Sequence, residues 1–338
     1  MRADRSCTRR QALPANGRVT IPTGLLWCRP AQAKGADMTK AKVGFIGLGL
    51  MGHGMARNVI AKGFPLTVLG HRNRAPVDSL VELGADEAAS ARDLAERCDV
   101  VVICVTGSPQ VEALVGGADG LATAGKPITI IDCSTSDPSS TIALASELSQ
   151  GGITLLDAPL SRTPKDAEAG TLDVMCGGSD EDFQRVKPIL ETFAARIVHT
   201  GPVGSGHTMK LLNNFLAMGY AALYSEALTL GSKAGLTPKT FDAVIRDGRM
   251  DSPFYRTFFQ WVLDRDPNAH RFTLRNALKD MTYLSAFANA SGAANPMGAA
   301  VRNSFAMAVN AGKGEDFVPT LSDFVAAANG VSLTGEKH

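Results

Sequence analysis

The chain has 338 residues, 34 basic and 33 acidic side chains, a net charge of +1 and 45% hydrophobic residues. That length points to two domains, and the near-neutral charge leaves no electrostatic footprint for nucleic acid. No apolar run is long enough to span a bilayer, and six scattered cysteines without a CxxC pair argue against structural zinc or a disulfide framework. Neither nucleic acid, nor a membrane, nor a metal is expected as a partner, and the cysteine usage fits a reducing compartment.

Residues 1–41 are rich in Arg, Pro and Gly and poor in acids. They read as a disordered extension, or as a stretch upstream of a true start at Met38. The alternative is an Arg-rich transit peptide, which would place the protein in the mitochondrial matrix instead of the cytoplasm. Pro14, Pro22 and Pro30 break the amphipathic helix that a transit peptide needs.

From Lys42 a short apolar strand, a glycine-rich turn and a helix follow in KVGFIGLGLMGHGMARNVIAKG. PLTVLGH, DVVVICVTG, PITIIDCS, GITLLDAP, TLDVMCGG and RIVHTG read as further strands. Ser108-Pro109, Asp137-Pro138 and the run from Ser179 to Asp182 read as helix starts. Strands alternating with helices predict an α/β Rossmann-type domain, doubly wound around a mostly parallel sheet, over residues 42–203. Gly47-Leu48-Gly49-Leu50-Met51-Gly52 is the GxGxxG pattern in its required place between strand and helix. Gly47 would permit the tight turn, Gly49 the approach of a pyrophosphate, and Gly52 close packing of helix on strand.

The second strand ends in Gly70-His71-Arg72-Asn73-Arg74. No carboxylate stands there for a ribose 2′-OH, while His71, Arg72 and Arg74 suit a 2′-phosphate. NADP is therefore favoured, with NAD possible. The alternative is that the arginines are solvated loop charges.

After Gly201-Pro202 no strand pattern appears, and residues 204–332 read as an all-helical C-terminal domain. Thr208 to Lys233 reads as one helix, apolar nearly all round, hence buried between domains or subunits. Subunit contacts of this kind predict a homodimer or homotetramer. Lys210, Asn213 and Asn214 share one face of it. Partial burial lowers a lysine's pKa and makes it a usable acid or base. A snorkelling lysine beside backbone-bonded amides is the equal alternative. Lys279-Asp280, on another helix, reads from spacing alone as solvated surface.

Five ordered motifs resemble the β-hydroxyacid dehydrogenase family across roughly Lys42 to Asn329. IGLGLMGHGMARN looks like its extended dinucleotide signature, and DCSTSDP like its strand-end segment. DAPLS stands where the family has a substrate loop, and GSGHTMKLLNN and ALKDM are similar to its two late motifs. The resemblance implies NAD(P)-dependent interconversion of a small β-hydroxy acid and its semialdehyde. It makes Lys210 the proton-transferring residue, and Asn213 and Asn214 the groups that orient a small anionic substrate. Leu50, Met51, Val105, Thr106 and Thr135 would touch the cofactor, with Lys279 on its nicotinamide side.

Two departures stand out: the missing acid at Gly70, and the loop Ser161-Arg162-Thr163-Pro164 where the family commonly has small residues. That loop is closer to the sulfolactaldehyde reductase branch, and its Arg162 suits a forked contact to a carboxylate or sulfonate. The alternative is that Arg162 pairs with a nearby carboxylate and shapes the loop. An imine reductase of the same fold lacks the lysine at position 210. A 6-phosphogluconate dehydrogenase would need a longer helical domain. A non-catalytic dinucleotide-binding scaffold would have no need of Lys210.

Overall fold

The computed structural model describes residues 41–334; the expectations for residues 1–40 lie outside them. Strands and helices alternate at first: β1 (Val43–Ile46), α1 (Gly52–Ala61), β2 (Leu66–Leu69), α2 (Ala75–Glu82), β3 (Asp86–Ala88), α3 (Ala91–Arg97) and β4 (Val100–Ile103). They continue through α4 (Ser108–Gly116), β5 (Thr129–Asp132), α5 (Pro138–Ser149), β6 (Thr154–Asp157), β7 (Leu160–Ser161) and α6 (Pro164–Ala169) to β8 (Leu172–Gly177), α7 (Asp180–Leu190) and β9 (Ala194–Gly201). The sheet order is β3-β2-β1-β4-β5-β6-β8-β7, with β9 beside β8. Strands β1 to β6 pair in parallel, whereas β8 runs antiparallel to β6 and β7. The fold is the expected mostly parallel, doubly wound Rossmann type.

The apolar run of β4 has a simple cause, since helices cover both faces of the sheet. Val100 and Val102 join Phe45 and Ile131 in one core, while Val101 and Ile103 join Ile46 and Ile130 in the other. Strand order reverses between β1 and β4, which opens a crevice at the carboxyl ends of these strands.

Two strands escaped the sequence pattern. β3 is three residues long with exposed Asp86 and Glu87, and β7 has only two residues. The expected caps Asp137 and Ser179 each accept an N–H from the first turn of a helix. Ser108 does not: it is the first residue of α4, and its hydroxyl instead accepts the N–H of Asp137 at 2.7 Å, across to the start of α5.

The chain then becomes helical: α8 (Ser205–Lys233), α9 (Pro238–Ile245), α10 (Pro253–Asp264), α11 (Leu274–Ala290), α12 (Pro296–Ala308) and α13 (Leu321–Ala328). Helix α8 has 29 residues, about 43 Å at 1.5 Å per residue. It starts three residues before the expected Thr208. Its first turns lean on β6, β8 and β9, and the rest packs with α11, α12 and α13. Leu211, Met218 and Leu228 enter a core with Phe258, Phe259 and Phe305. In the single chain only one face of α8 is buried, for Leu216 is 59% and Leu230 70% exposed. No helix of the described residues is long and apolar enough to cross a membrane.

Candidate active site

The turn after β1 meets the steric demands of its glycines. Gly47 has φ +96°, and a Cβ there would lie 2.1 Å from the carbonyl oxygen of Cys104. A Cβ on Gly52 would lie 1.9 Å from the carbonyl oxygen of Gly47. At Gly49 the same position is open space, where an anion can approach the backbone. Helix α1 begins here without a side-chain cap, so its first N–H groups point at that space. Leu50 is exposed and Met51 half-buried beside it. Open room and uncapped donors together fit a dinucleotide pyrophosphate.

The next two strand ends stand beside this turn. Val105 donates its N–H to Ser134 Oγ at 3.0 Å, joining the loops after β4 and β5. Lys279 Nζ, on α11, donates to the carbonyl of Thr106 and, at 2.9 Å, to that of Thr135. Three residues expected at the cofactor (Thr106, Thr135, Lys279) are thus brought together. The Lys279 ammonium is also 3.1 Å from Asp280 Oδ1 and 5.2 Å from the ring centre of Tyr283. Sequence spacing alone had suggested a solvated pair here, but Asp280 is 1% exposed.

At the end of β2 the structure adds a carboxylate that the loop sequence lacks. Glu87 arrives from β3, and a Cβ on Gly70 would lie 2.7 Å from its Oε1. Arg74 holds Glu87 in a forked contact, at 2.5 and 2.9 Å, and reaches Asp78 at 3.1 Å. Among the described residues that leaves His71 and Arg72 as the exposed basic groups of the turn without a carboxylate partner. Glu87 could not be anticipated, because it belongs to the polar strand that the pattern missed.

Lys210 sits in the second turn of α8 and is half-buried. Burial pushes its pKa below the ordinary lysine value; Asp280 opposes the shift and Lys279 adds to it. Asn214 is buried and donates to Asp280 Oδ2 at 2.6 Å. Asn213 Nδ2 reaches only its neighbour's Oδ1, at 3.4 Å. The two amides therefore differ: Asn214 braces Asp280, while Asn213 keeps donors to spare.

The start of α8 is locked by groups that sequence reasoning missed. Asp157, at the end of β6, accepts the N–H groups of Gly204 and His207 at 2.7 Å each. A carboxylate at a helix N-terminus is favoured by the helix dipole as well as by these donors. His207 is wholly buried, with Nε2 3.2 Å from the carbonyl of Ser134 and Nδ1 2.8 Å from Thr141 Oγ1. A carbonyl only accepts, so the Nε2 nitrogen carries the hydrogen. Asp132 accepts from Ser134 N–H and Ser136 Oγ, and lies 3.7 Å from His207 Nε2. One helical turn separates this network from Lys210. The only hint in the sequence was that two apolar strands, TIID and TLLD, both end in aspartate.

The loop after β7 is differently occupied. Arg162 has φ +87°, a left-handed value that a side chain disfavours. Its Nε is 3.0 Å from Asp173 Oδ2, and Nη1 is 3.9 Å from Asp166 Oδ1. Thr163 caps α6, donating its N–H to Asp166 Oδ2 at 3.0 Å while its hydroxyl also meets that oxygen. Ser161 is half-buried in β7 opposite Asp173. The arginine and the threonine that were expected to meet substrate are thus both engaged by carboxylates of the loop.

Residues 42–201 match the family described as the NAD binding domain of 6-phosphogluconate dehydrogenase. Residues 204–322 match that described as NAD-binding of NADP-dependent 3-hydroxyisobutyrate dehydrogenase. The chain is 37% identical over 273 residues to 3-hydroxyisobutyrate dehydrogenase of Pseudomonas aeruginosa, covering 78% of this chain and 91% of that one. It is 39% identical over 201 residues to 2-hydroxy-3-oxopropionate reductase of Escherichia coli, covering 58% and 67%. The solved structure of 3-hydroxyisobutyrate dehydrogenase from Salmonella typhimurium superposes with a TM-score of 0.74 at 29% identity, over 84% of this chain and 99% of that one.

Proposed function

The chain belongs to the β-hydroxyacid dehydrogenase family of NAD(P)-dependent oxidoreductases, and on that premise we propose that Lys210 is its proton-transferring residue. The observation that carries this reading is the place of Lys210, one helical turn after His207, which is bonded to Asp157 at the end of β6 and to Ser134 after β5; burial lowers its pKa there, against the charge of Asp280. In the reducing direction Lys210 gives its proton to the oxygen of a semialdehyde as that carbonyl becomes an alcohol. In the oxidising direction the neutral amine takes the proton back. The nicotinamide, when bound, supplies or accepts the hydride. Lys210 also neutralises the negative charge that develops on the oxygen.

The remaining roles follow from what each group has left to offer. Asn213 orients the substrate with its spare amide donors, and Asn214 fixes Asp280 so that Lys210 faces a constant charge. Gly47, Gly49 and Gly52, with Leu50 and Met51, form the dinucleotide turn, and Val105, Thr106 and Thr135 line the next two strand ends. Lys279 pins those two loops. NADP is the preferred cofactor, its 2′-phosphate meeting His71 and Arg72, because Arg74 already neutralises Glu87. The substrate is a small β-hydroxy acid or its semialdehyde. Its carboxylate lies toward the Ser161 to Thr163 loop. The exposed face of α8 packs against another copy in a homodimer or homotetramer.

The ion pair with Asp173 favours a second reading of Arg162. It shapes the loop, and a substrate anion reaches the guanidinium only by sharing it with Asp173. Absorbance at 340 nm with NADPH or NADH and a panel of semialdehydes tests the whole proposal. The expected result is turnover of small carboxylated semialdehydes, faster with NADPH. Tight cofactor binding with no turnover of any of them would instead favour a dinucleotide-binding scaffold.

A further inference from the structure

Reduction of a semialdehyde brings a hydride to the carbonyl carbon and a proton to its oxygen, two atoms about 1.2 Å apart. The proposed proton donor, Lys210, rides on α8, whereas the dinucleotide turn and the loops after β4 and β5 belong to the sheet. The helix must keep register with those loops, because a misplacement of about 1 Å can cost about 100-fold in rate.

One buried side chain spans the two. His207 is wholly buried, one turn before Lys210. Its Nε2–H donates to the carbonyl of Ser134 at 3.2 Å, and among the described residues no other group donates to that oxygen. Ser134 is the hub of the loop after β5. Its hydroxyl accepts the N–H of Val105 at 3.0 Å, and its own N–H goes to Asp132 at 2.9 Å. The carbonyl of the next residue, Thr135, accepts Lys279 Nζ at 2.9 Å. On the other side of the ring, Nδ1 meets Thr141 Oγ1 at 2.8 Å, in the first turn of α5. That hydroxyl has a second partner, the carbonyl of Asp137 at 3.1 Å, so it depends less on the imidazole. The N–H of His207 bonds Asp157 whatever side chain stands there.

We propose that His207 is a positioning residue: its Nε2–H bond to Ser134, and not its Nδ1 contact with Thr141, sets Lys210 against the cofactor loops. This rests on Lys210 being the proton donor, as proposed above. The bond ties the turn that carries the proton source to the loop that also holds Val105 and Lys279. The contact with Thr141 leads away to α5 and fixes neither.

The test divides the ring. A glutamine amide reaches as far from Cβ as Nε2, and an asparagine amide only as far as Nδ1. His207→Gln therefore keeps a donor for Ser134, and His207→Asn keeps an acceptor for Thr141. Each gives up one bond, so the urea midpoints of the two variants should fall alike. Turnover should not follow stability. It is measured at saturating NADPH, with 2-hydroxy-3-oxopropanoate or 2-methyl-3-oxopropanoate, whichever the wild type reduces faster. His207→Asn should lose at least about tenfold in kcat, while His207→Gln and Thr141→Val stay within about threefold of wild type. The NADPH dissociation constant, read by fluorescence titration, should move by less than about threefold in all three. Equal kcat in the two His207 variants would overturn the assignment. So would a tenfold loss in His207→Gln or in Thr141→Val, which decide the matter even if His207→Asn does not fold. Lys210→Ala is assayed beside them. Unimpaired turnover there, or no turnover of either substrate by the wild type, would overturn the proposed reaction and this inference with it. An inactive Lys210→Ala beside His207 variants of equal kcat would overturn the inference alone.

Discussion

The second turn of α8 and the first half of α11 each bring a lysine toward Asp280, and they treat it in opposite ways. Lys210 is set by burial, which lowers its pKa against the pull of Asp280. Lys279 is held by acceptors: two backbone carbonyls, with Asp280 Oδ1 at 3.1 Å. A cation that is buried but under-supplied with acceptors can give up its proton, whereas one enclosed by acceptors works as a fastener. Residue type does not separate the two lysines; their partners do.

The largest effect that sharpens this contrast is expected at the loosely held lysine. Lys210→Ala should lower kcat by about 10²- to 10⁴-fold, the usual range for loss of a positioned acid or base. NADPH affinity, read by fluorescence titration, should change little. Lys279→Met should do the reverse in kind. It removes the charge-assisted bonds that hold the Thr106 and Thr135 loops, each worth about 1.5–3 kcal/mol. The NADPH dissociation constant should rise at least about tenfold and the unfolding midpoint should fall, with the pH profile of turnover keeping its shape. A variant that lost only the proton-transfer step would break the comparison.

Asp280 touches both lysines, so Asp280→Asn tests how they share it. Asp280 raises the Lys210 pKa, and removing its charge must lower that pKa further. On the mechanism proposed above, Lys210 acts in reduction while protonated, so activity is present below its pKa and lost as pH rises through it. The alkaline limb of kcat/KM should therefore move to lower pH in Asp280→Asn. Movement to higher pH would mean that another group controls the limb.

Arg162 is a third cation and gives the smallest expected effect. It resembles Lys279 in being engaged, by Asp173 and Asp166. Arg162→Gly relieves a left-handed backbone that costs roughly 1–2 kcal/mol. It loses an exposed ion pair that water screens and that adds little stability. Stability in urea should change by about 1 kcal/mol or less. Carboxylated and sulfonated substrates should keep their relative kcat/KM; a selective loss of the sulfonated one would establish Arg162 as an anion clamp.

These contrasts also mark what the sequence made legible. The parallel strands announced themselves because burial on both faces demands unbroken Val and Ile runs, as in β4. The glycine turn was readable because Gly47 and Gly52 each exclude a Cβ by direct contact with a carbonyl. β3 was not legible: it is short, polar and exposed, so Glu87 came as a surprise beside Gly70. Lys210 could be singled out by its helix face, but its pKa is set by burial in the fold, against Asp280, 70 positions later. The Asp157–His207 brace was hidden for the same reason, since its members come from separate strands and helices. Spacing along one element shows which residues share a face, whereas partners across elements exist only in the fold.

The central claim is that burial leaves Lys210 with a depressed pKa. The most direct measurement is NMR titration of protein labelled with carbon-13 at lysine Cε, the Lys210 signal being assigned by its absence in Lys210→Arg. That signal should titrate below the ordinary lysine value of about 10.4, and lower still in Asp280→Asn. A Lys210 signal titrating at or above that ordinary value would contradict the account.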